Sequence, residues 1–192
     1  MALRSILLTL GISASTLLAA CSSDDGGGNS GAGGQGTGAT GGGSGDTEPA
    51  EMNGMTAAHN AARAGVNPPA SSPIPPLAWS GSLAAVAQAY ANKCVFQHSK
   101  GQYGENLYAS TNSSSPQAVV QSWMSEESSY DYASNSCSDV CGHYTQVVWA
   151  KSTKLGCGVK TCDQNSPFGS GSWQLWVCNY DPPGNYVGEK PY

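Results

Sequence analysis

The chain has 192 residues, seven cysteines, a formal net charge of −5 and only 11% charged residues. It contains no basic run and no stripe of interleaved basic and aromatic residues, which argues against nucleic acid as a partner. Once the ends are set aside, the length suits one ordinary domain with a single core.

Met1-Ala2-Leu3-Arg4 supplies a short positive start, and Ser5 to Ala20 is mostly apolar but too short and too weakly apolar to span a membrane. Residues 1–20 read as an export signal. They close on Leu18-Ala19-Ala20-Cys21, which resembles the bacterial lipoprotein box and predicts lipidation of Cys21. The alternative is ordinary cleavage that leaves Cys21 as a free thiol. Two or three acyl chains hold a protein on a membrane stably, whereas one holds it marginally. Ser22 after the cysteine points to an outer-membrane or cell-surface address in a Gram-negative cell, with the domain in the periplasm or outside. Residues 21–50 are a linker: twelve of the 25 glycines fall between Gly26 and Gly45. Such a segment buries too little apolar surface to offset its ordering entropy, and as a coil it reaches about 30 Å.

Residues 51–192 form the predicted domain. Met52, Met55, His59 and Ala62 recur at helical spacing, and Gly65 with Pro68-Pro69 ends that helix near Val66. Asn67 to Pro76 is a proline-rich loop before the apolar anchor Leu77-Ala78-Trp79. Ser80 or Ser82 caps a second helix with Leu83, Val86, Ala87, Tyr90, Ala91 and Cys94 on one face, running into Phe96-Gln97-His98. Glu105 to Ser110 suits a short strand. Ser115-Pro116 opens a third helix that buries Val119, Val120, Trp123 and Met124 and frays near Tyr130. Val147-Val148-Trp149 fits either a helical turn or a strand. Lys154–Thr161 and Trp173–Tyr180 read as strands of a long hairpin. Helices first and strands last argue for a layered α+β domain.

Without Cys21 six cysteines remain, an even number that reads as disulfides in an exported domain; six allow 15 pairings. Their spacings match no structural zinc site. Gly-x-Ser-x-Gly, His-Glu-x-x-His and phosphate-loop signatures are absent.

Several stretches together resemble the CAP family, which comprises cysteine-rich secretory proteins, insect venom antigen 5 and plant pathogenesis-related protein 1. They are His59-Asn60-x-x-Arg63, Leu77-x-Trp79, Ala89-Tyr90-Ala91, His98-Ser99, Tyr103-Gly104-Glu105-Asn106-Leu107, Trp123-x-x-Glu126, Cys141-Gly142-His143-Tyr144-Thr145-Gln146-Val147-Val148-Trp149, Gly156-Cys157-Gly158 and Cys178-Asn179-Tyr180-x-Pro182. The resemblance implies a disulfide-stabilised three-layer α-β-α sandwich with an antiparallel sheet. It also implies a cleft holding a polar tetrad of His98, Glu105, Glu126 and His143, and pairings Cys137–Cys141, Cys94–Cys162 and Cys157–Cys178.

Imidazole nitrogen and carboxylate oxygen suit Zn2+ or a similar divalent cation, and the same groups move protons near neutral pH. Two His–Glu pairs equally serve as satisfied polar groups that hold a core in register. By the same resemblance Tyr144 and Gln146 line the cleft near His143, or serve as hydrogen-bonded scaffold. Asn106 fixes the Gly104–Leu107 turn, His59 packs helices, and Glu127 is a solvated neighbour of Glu126. The reading that follows is a non-enzymatic cleft-binding module for a lipid, peptide or protein. A metal-dependent hydrolase with Glu105 or Glu126 as base is the alternative. The third is an extracellular interaction module using the loops Asn112–Ser115 and Gln164–Ser172. Ligand, resident metal and oligomeric state are not encoded in any motif.

Overall fold

The structure, a computed structural model, describes residues 46–192; the predicted signal peptide, Cys21 and nearly all of the linker lie outside these residues. In chain order its regular elements are α1 (Met55–Ala64), β1 (Ala78–Trp79), α2 (Gly81–Ala91), β2 (Gly104–Ser110), α3 (Pro116–Met124), β3 (Tyr130–Asp131), β4 (Ser136–Cys137), α4 (Gly142–Val147), β5 (Lys154–Cys162) and β6 (Trp173–Asp181). One sheet runs β1-β5-β6-β2, and β3 pairs with β4 separately. The hairpin β5–β6 and the pair β2–β6 are antiparallel, as expected. β1 pairs parallel with the start of β5, so Ala78 and Trp79 of the Leu77-Ala78-Trp79 anchor form an edge strand.

The period-two pattern of β6 divides the core. Trp173, Leu175 and Val177 face α2 with Ala87, Ala91 and Leu107. Trp176, Cys178 and Tyr180 face the other way, against Met55, Val119, Val120, Trp123 and Val147. With α2 on one face and α1, α3 and α4 on the other, the domain has the expected three layers. Gly156 and Gly158 let α2 lie directly on β5: a Cβ at Gly156 would collide with the backbone of Leu83 and Ala84, and one at Gly158 with that of Gln88.

Helix ends follow the sequence signals in part. Ser80 and Ser115 cap α2 and α3 by accepting from Leu83 N and Ala118 N. The first helix begins at Met55 rather than Met52, because Gly54 and Thr56 donate their N–H groups to the Glu48 carboxylate. The second stops at Ala91 instead of reaching His98, since Cys94 takes a left-handed conformation with φ 53° and donates to Ala91 O. Val86, expected on the buried face, is 45% exposed. The ambiguous Val147 ends α4. Disulfides Cys94–Cys162, Cys137–Cys141 and Cys157–Cys178 form as the resemblance implied. Among the described residues no helix is long and apolar enough to cross a membrane.

Two buried polar groups of α1 tie the layers together. His59 joins Met55 O through Nδ1 (2.8 Å) and the Tyr180 hydroxyl through Nε2 (2.9 Å). Arg63, 1% exposed, donates to the carbonyls of Pro75, Val147, Trp149 and Ser152. Desolvation is the main cause that lowers the His59 pKa from 6.5 to about 4. Its folded pKa therefore lies below its unfolded value, and the unfolded chain takes the proton first as pH falls. The stability contributed by the neutral ring is complete above pH 6.5 and is lost progressively down to pH 4. A loss of about 3 kcal/mol is expected across that window. Denaturation midpoints followed against pH check this: His59→Gln should flatten the slope, and an unchanged slope would refute it.

Candidate functional site

Glu126 sits on the tight turn Ser125–Ser129 that continues α3, and it meets the start of α4. Its Oε1 lies 2.6 Å from His143 Nδ1, while its Oε2 accepts from His143 N (2.9 Å) and Tyr144 N (3.2 Å). The His143 ring stacks on Trp123 with centroids 6.3 Å apart. The second pair is built from β2 and the loop after α2. Glu105 Oε1 accepts from His98 Nδ1 (2.9 Å) and Ser99 N (2.8 Å). Each imidazole thus turns Nδ1 to a carboxylate and keeps Nε2 for another partner.

The four tetrad residues form two His–Glu pairs, but not one converged cluster. The side chain of His98 is 62% exposed, against 26% for His143, and the glutamates are 7% (Glu105) and 17% (Glu126) exposed. Among the described residues no group of three or more His, Cys, Asp or Glu side chains is placed to hold one ion. Both oxygens of Glu126 are occupied by protein donors. Glu105 Oε2 is the tetrad's one buried oxygen without a partner. The residues present therefore do not fit a closed zinc site. An ion at either pair would rest on its Nε2 atom and be completed mostly by water.

A cleft of about 320 Å³ opens beside the Glu126–His143 pair. Leu107, Tyr108, Ala109 and Trp123 line its apolar part, and Phe96 and Phe168 stand at its mouth, 47% and 51% exposed. These are the only two phenylalanines in the chain. His98 and Glu105 do not line it. A larger cavity, about 630 Å³, lies away from the tetrad at the edge of β5. Its size does not make it the tetrad's site, since it contains none of the four residues.

Of the two roles open from the sequence, cleft lining and hydrogen-bonded scaffold, Asn106, Gln146 and Tyr144 take the second. Asn106, 1% exposed and on β2 rather than in a turn, donates to His143 O and to the Tyr180 hydroxyl. Gln146 accepts from Gly184 N and donates to the Ser152 hydroxyl. Tyr144 is fully buried, its hydroxyl meeting that of Tyr192; desolvation, then that bond and the nearby charges, Glu127 among them, push its pKa up. Glu127 is half-buried with Oε1 lacking a partner, not a freely solvated neighbour. His59 packs helices as expected. The reading from sequence passed over Phe96, Phe168 and the Leu107–Ala109 wall. The clue available was the presence of two isolated phenylalanines in polar, loop-like stretches.

The description of the cysteine-rich secretory protein family, CAP, matches residues 56–180. The chain belongs to this family. Its relatives within the family include pathogenesis-related protein 1 of Arabidopsis thaliana, 44% identical over 139 residues, which cover 70% of this chain and 78% of that protein. Peptidase inhibitor 16 of Mus musculus is 43% identical over 147 residues, covering 74% of this chain but 29% of that protein. The crystal structure of NaASP2 with Zn2+ superposes with a TM-score of 0.60 at 25% identity, covering 77% of this CAP chain and 87% of that one. CAP membership and three disulfides are features of a secreted protein.

Three protein donors meet on Glu126, so in this CAP domain it anchors α4. Glu126→Ala should lower unfolding free energy by about 2–3 kcal/mol, and Glu126→Gln by less because an amide oxygen still accepts. Urea denaturation measures both, and an unchanged midpoint for Glu126→Ala would contradict the anchoring role.

Proposed function

We propose that this chain is a secreted, lipid-anchored CAP-domain binding protein whose cleft takes an apolar ligand, a lipid in the first place and an apolar peptide segment in the second. The observation that carries the reading is the cleft of about 320 Å³ with Phe96 and Phe168 at its mouth and Glu126 and His143 at one wall. Its size falls at the small end of ligand pockets, and an apolar lining with a few fixed polar groups is what such pockets need. Burying the two exposed phenyl rings against a ligand adds to the driving force. Phe168 belongs to the loop Gln164–Ser172, so one loop serves both the cleft and any interaction surface.

Nothing in the hydrogen bonding favours chemistry by the tetrad. Both oxygens of Glu126 already accept from protein donors, so it does not stand free as a base, and the one free oxygen of Glu105, Oε2, is buried. Binding of a fluorescent undecanoic acid derivative to the full chain tests the cleft. Replacing Phe96 and Phe168 together by Asp should weaken it about tenfold with circular dichroism unchanged. Equal affinity of the two proteins overturns the reading.

A divalent cation is a second, independent proposal. His143 would hold it through Nε2 beside the cleft, with water completing the shell, and the Zn2+ named for NaASP2 supports it. The ion would supply a positive charge for an anionic ligand group. The anchor is a third proposal, resting on Leu18-Ala19-Ala20-Cys21. Zinc titration calorimetry of the wild type and of His143→Ala should show heat only for the former. Membrane fractionation of Cys21→Ser should move the protein to the soluble fraction. A zinc heat retained by His143→Ala, or a membrane-bound Cys21→Ser, refutes the respective proposal.

A further inference from the structure

Among the described residues, the strand β5 is half unpaired on one side. β1 covers only Lys154 and Leu155 before Ser80 turns the chain into α2. Beyond that point the side chain of Gln88 takes the place of a strand: its Oε1 accepts from Val159 N (3.1 Å) and its Nε2 donates to Val159 O (2.9 Å). Val159 therefore turns its backbone away from β6. In an antiparallel ladder this orientation repeats every second residue, so Cys157 and Thr161 turn their N–H and C=O the same way. The Cα–Cα distance of 4.1 Å between Cys157 and Cys178 agrees, being the short spacing of a pair without mutual hydrogen bonds. Neither Ser80 nor Ser82 reaches Cys157 as the next rung of the β1 ladder would.

Two cavities follow this edge. The first, about 630 Å³, is lined by Met52, Trp79, Ala85, Gln88 and Cys157 among others. The second, about 360 Å³, is lined by Thr161 and Cys162. They share Asn92 and Lys160, so they abut along the strand. Cys157 lines the first cavity and is only 2% exposed, so its backbone groups are shielded from bulk water. Buried backbone groups without partners cost free energy comparable to a lost hydrogen bond.

We propose that this edge is a docking slot for an extended peptide segment of a partner protein, which joins the sheet beside β5 as an added strand. Donors and acceptors recur here at every second residue of one strand, and only another extended backbone presents the matching pattern over that length. A lipid or an ion would satisfy one group and leave the next. Met52, Trp79 and the Cys157–Cys178 disulfide make the inner end apolar, so the partner residue opposite Cys157 is apolar. Gln88 guards the edge when it is empty and swings away to admit the strand. This slot lies on a different face of the protein's chemistry from the Phe96–Phe168 cleft and does not depend on it.

The test uses the nitrogen-15-labelled full chain and an acetylated, amidated peptide of alternating Thr and Val, at up to about 1 mM. Because pairing is through the backbone, this generic strand former is a sufficient probe. The amide signals of Cys157 and Thr161 should shift and saturate. The same peptide N-methylated on every Val, or on every Thr, removes alternate donors, and at least one of the two should bind about tenfold more weakly. Gln88→Ala should tighten binding about fivefold by removing the internal competitor. Ala85→Trp, a change at an exposed lining residue, should abolish the Cys157 shift without altering the circular dichroism. Unshifted amides, or equal binding of the parent and both methylated peptides, overturn the proposal. So does protection of those amides from exchange in the free protein: if protection grows with concentration, a second copy fills the slot, and if it does not, the chain's own residues do.

Discussion

The six-residue helix α4 carries His143 and is too short to hold itself. An isolated helix of that length makes almost no internal hydrogen bonds in return for its nucleation cost. Two opposite charges clamp it instead. The Glu126 carboxylate accepts the N–H groups of His143 and Tyr144 at its start, and the Arg63 guanidinium donates to the carbonyls of Val147 and Trp149 at its end. Each charge is opposite in sign to the helix dipole at its terminus and so stabilises it. Arg63 also reaches Pro75 and Ser152, so one buried side chain of α1 fixes the proline-rich loop, α4 and the approach to β5 together. Desolvation lowers its pKa to about 10, which leaves it protonated at neutral pH, so the clamp does not switch off there.

The cleft inherits its shape from this clamp. His143 stacks on Trp123, whose indole N–H donates to Leu107 O, so the polar wall and the apolar wall of the cleft are joined through one tryptophan. Asn106 ties His143 O to the Tyr180 hydroxyl, which in turn meets His59. The pair His98–Glu105 lacks such support on the histidine side, and its ring stands mostly in water. The two His–Glu pairs are therefore unequal: one is embedded in the fold, and in the other a loop histidine meets a buried glutamate of β2.

The two faces of the sheet divide the work in a similar way. On the face with α1, α3 and α4, Trp123, Glu126 and His143 build one wall of the cleft, and Leu107 and Ala109 of β2 join it from the α2 side. On the other, Gly156 and Gly158 bring α2 so close that Gln88 can reach the edge of β5 and pair with Val159. Beyond Leu155 no strand among the described residues pairs with β5 on the side away from β6.

The sequence by itself determined the layers. Period-two alternation in Trp173–Tyr180, helical spacing after Ser80 and Ser115, and an even set of six domain cysteines each act through neighbours along the chain, so they are visible without coordinates. The ordered motifs from His59 to Tyr180 carried the family resemblance, which implied the disulfide partners and named the four His and Glu residues, while the pairing of His98 with Glu105 and of His143 with Glu126 came from the fold. Tertiary structure decided what those pairs do. Whether His98 and His143 converge, whether Tyr144, Gln146 and Asn106 face a cleft or the core, and whether Phe96 and Phe168 meet at one mouth all depend on how loops with no periodicity are held against distant elements. Those positions are set by burial and by bonds between residues tens of positions apart, such as Arg63 to Trp149 and Gln88 to Val159, and no local pattern in the chain records them.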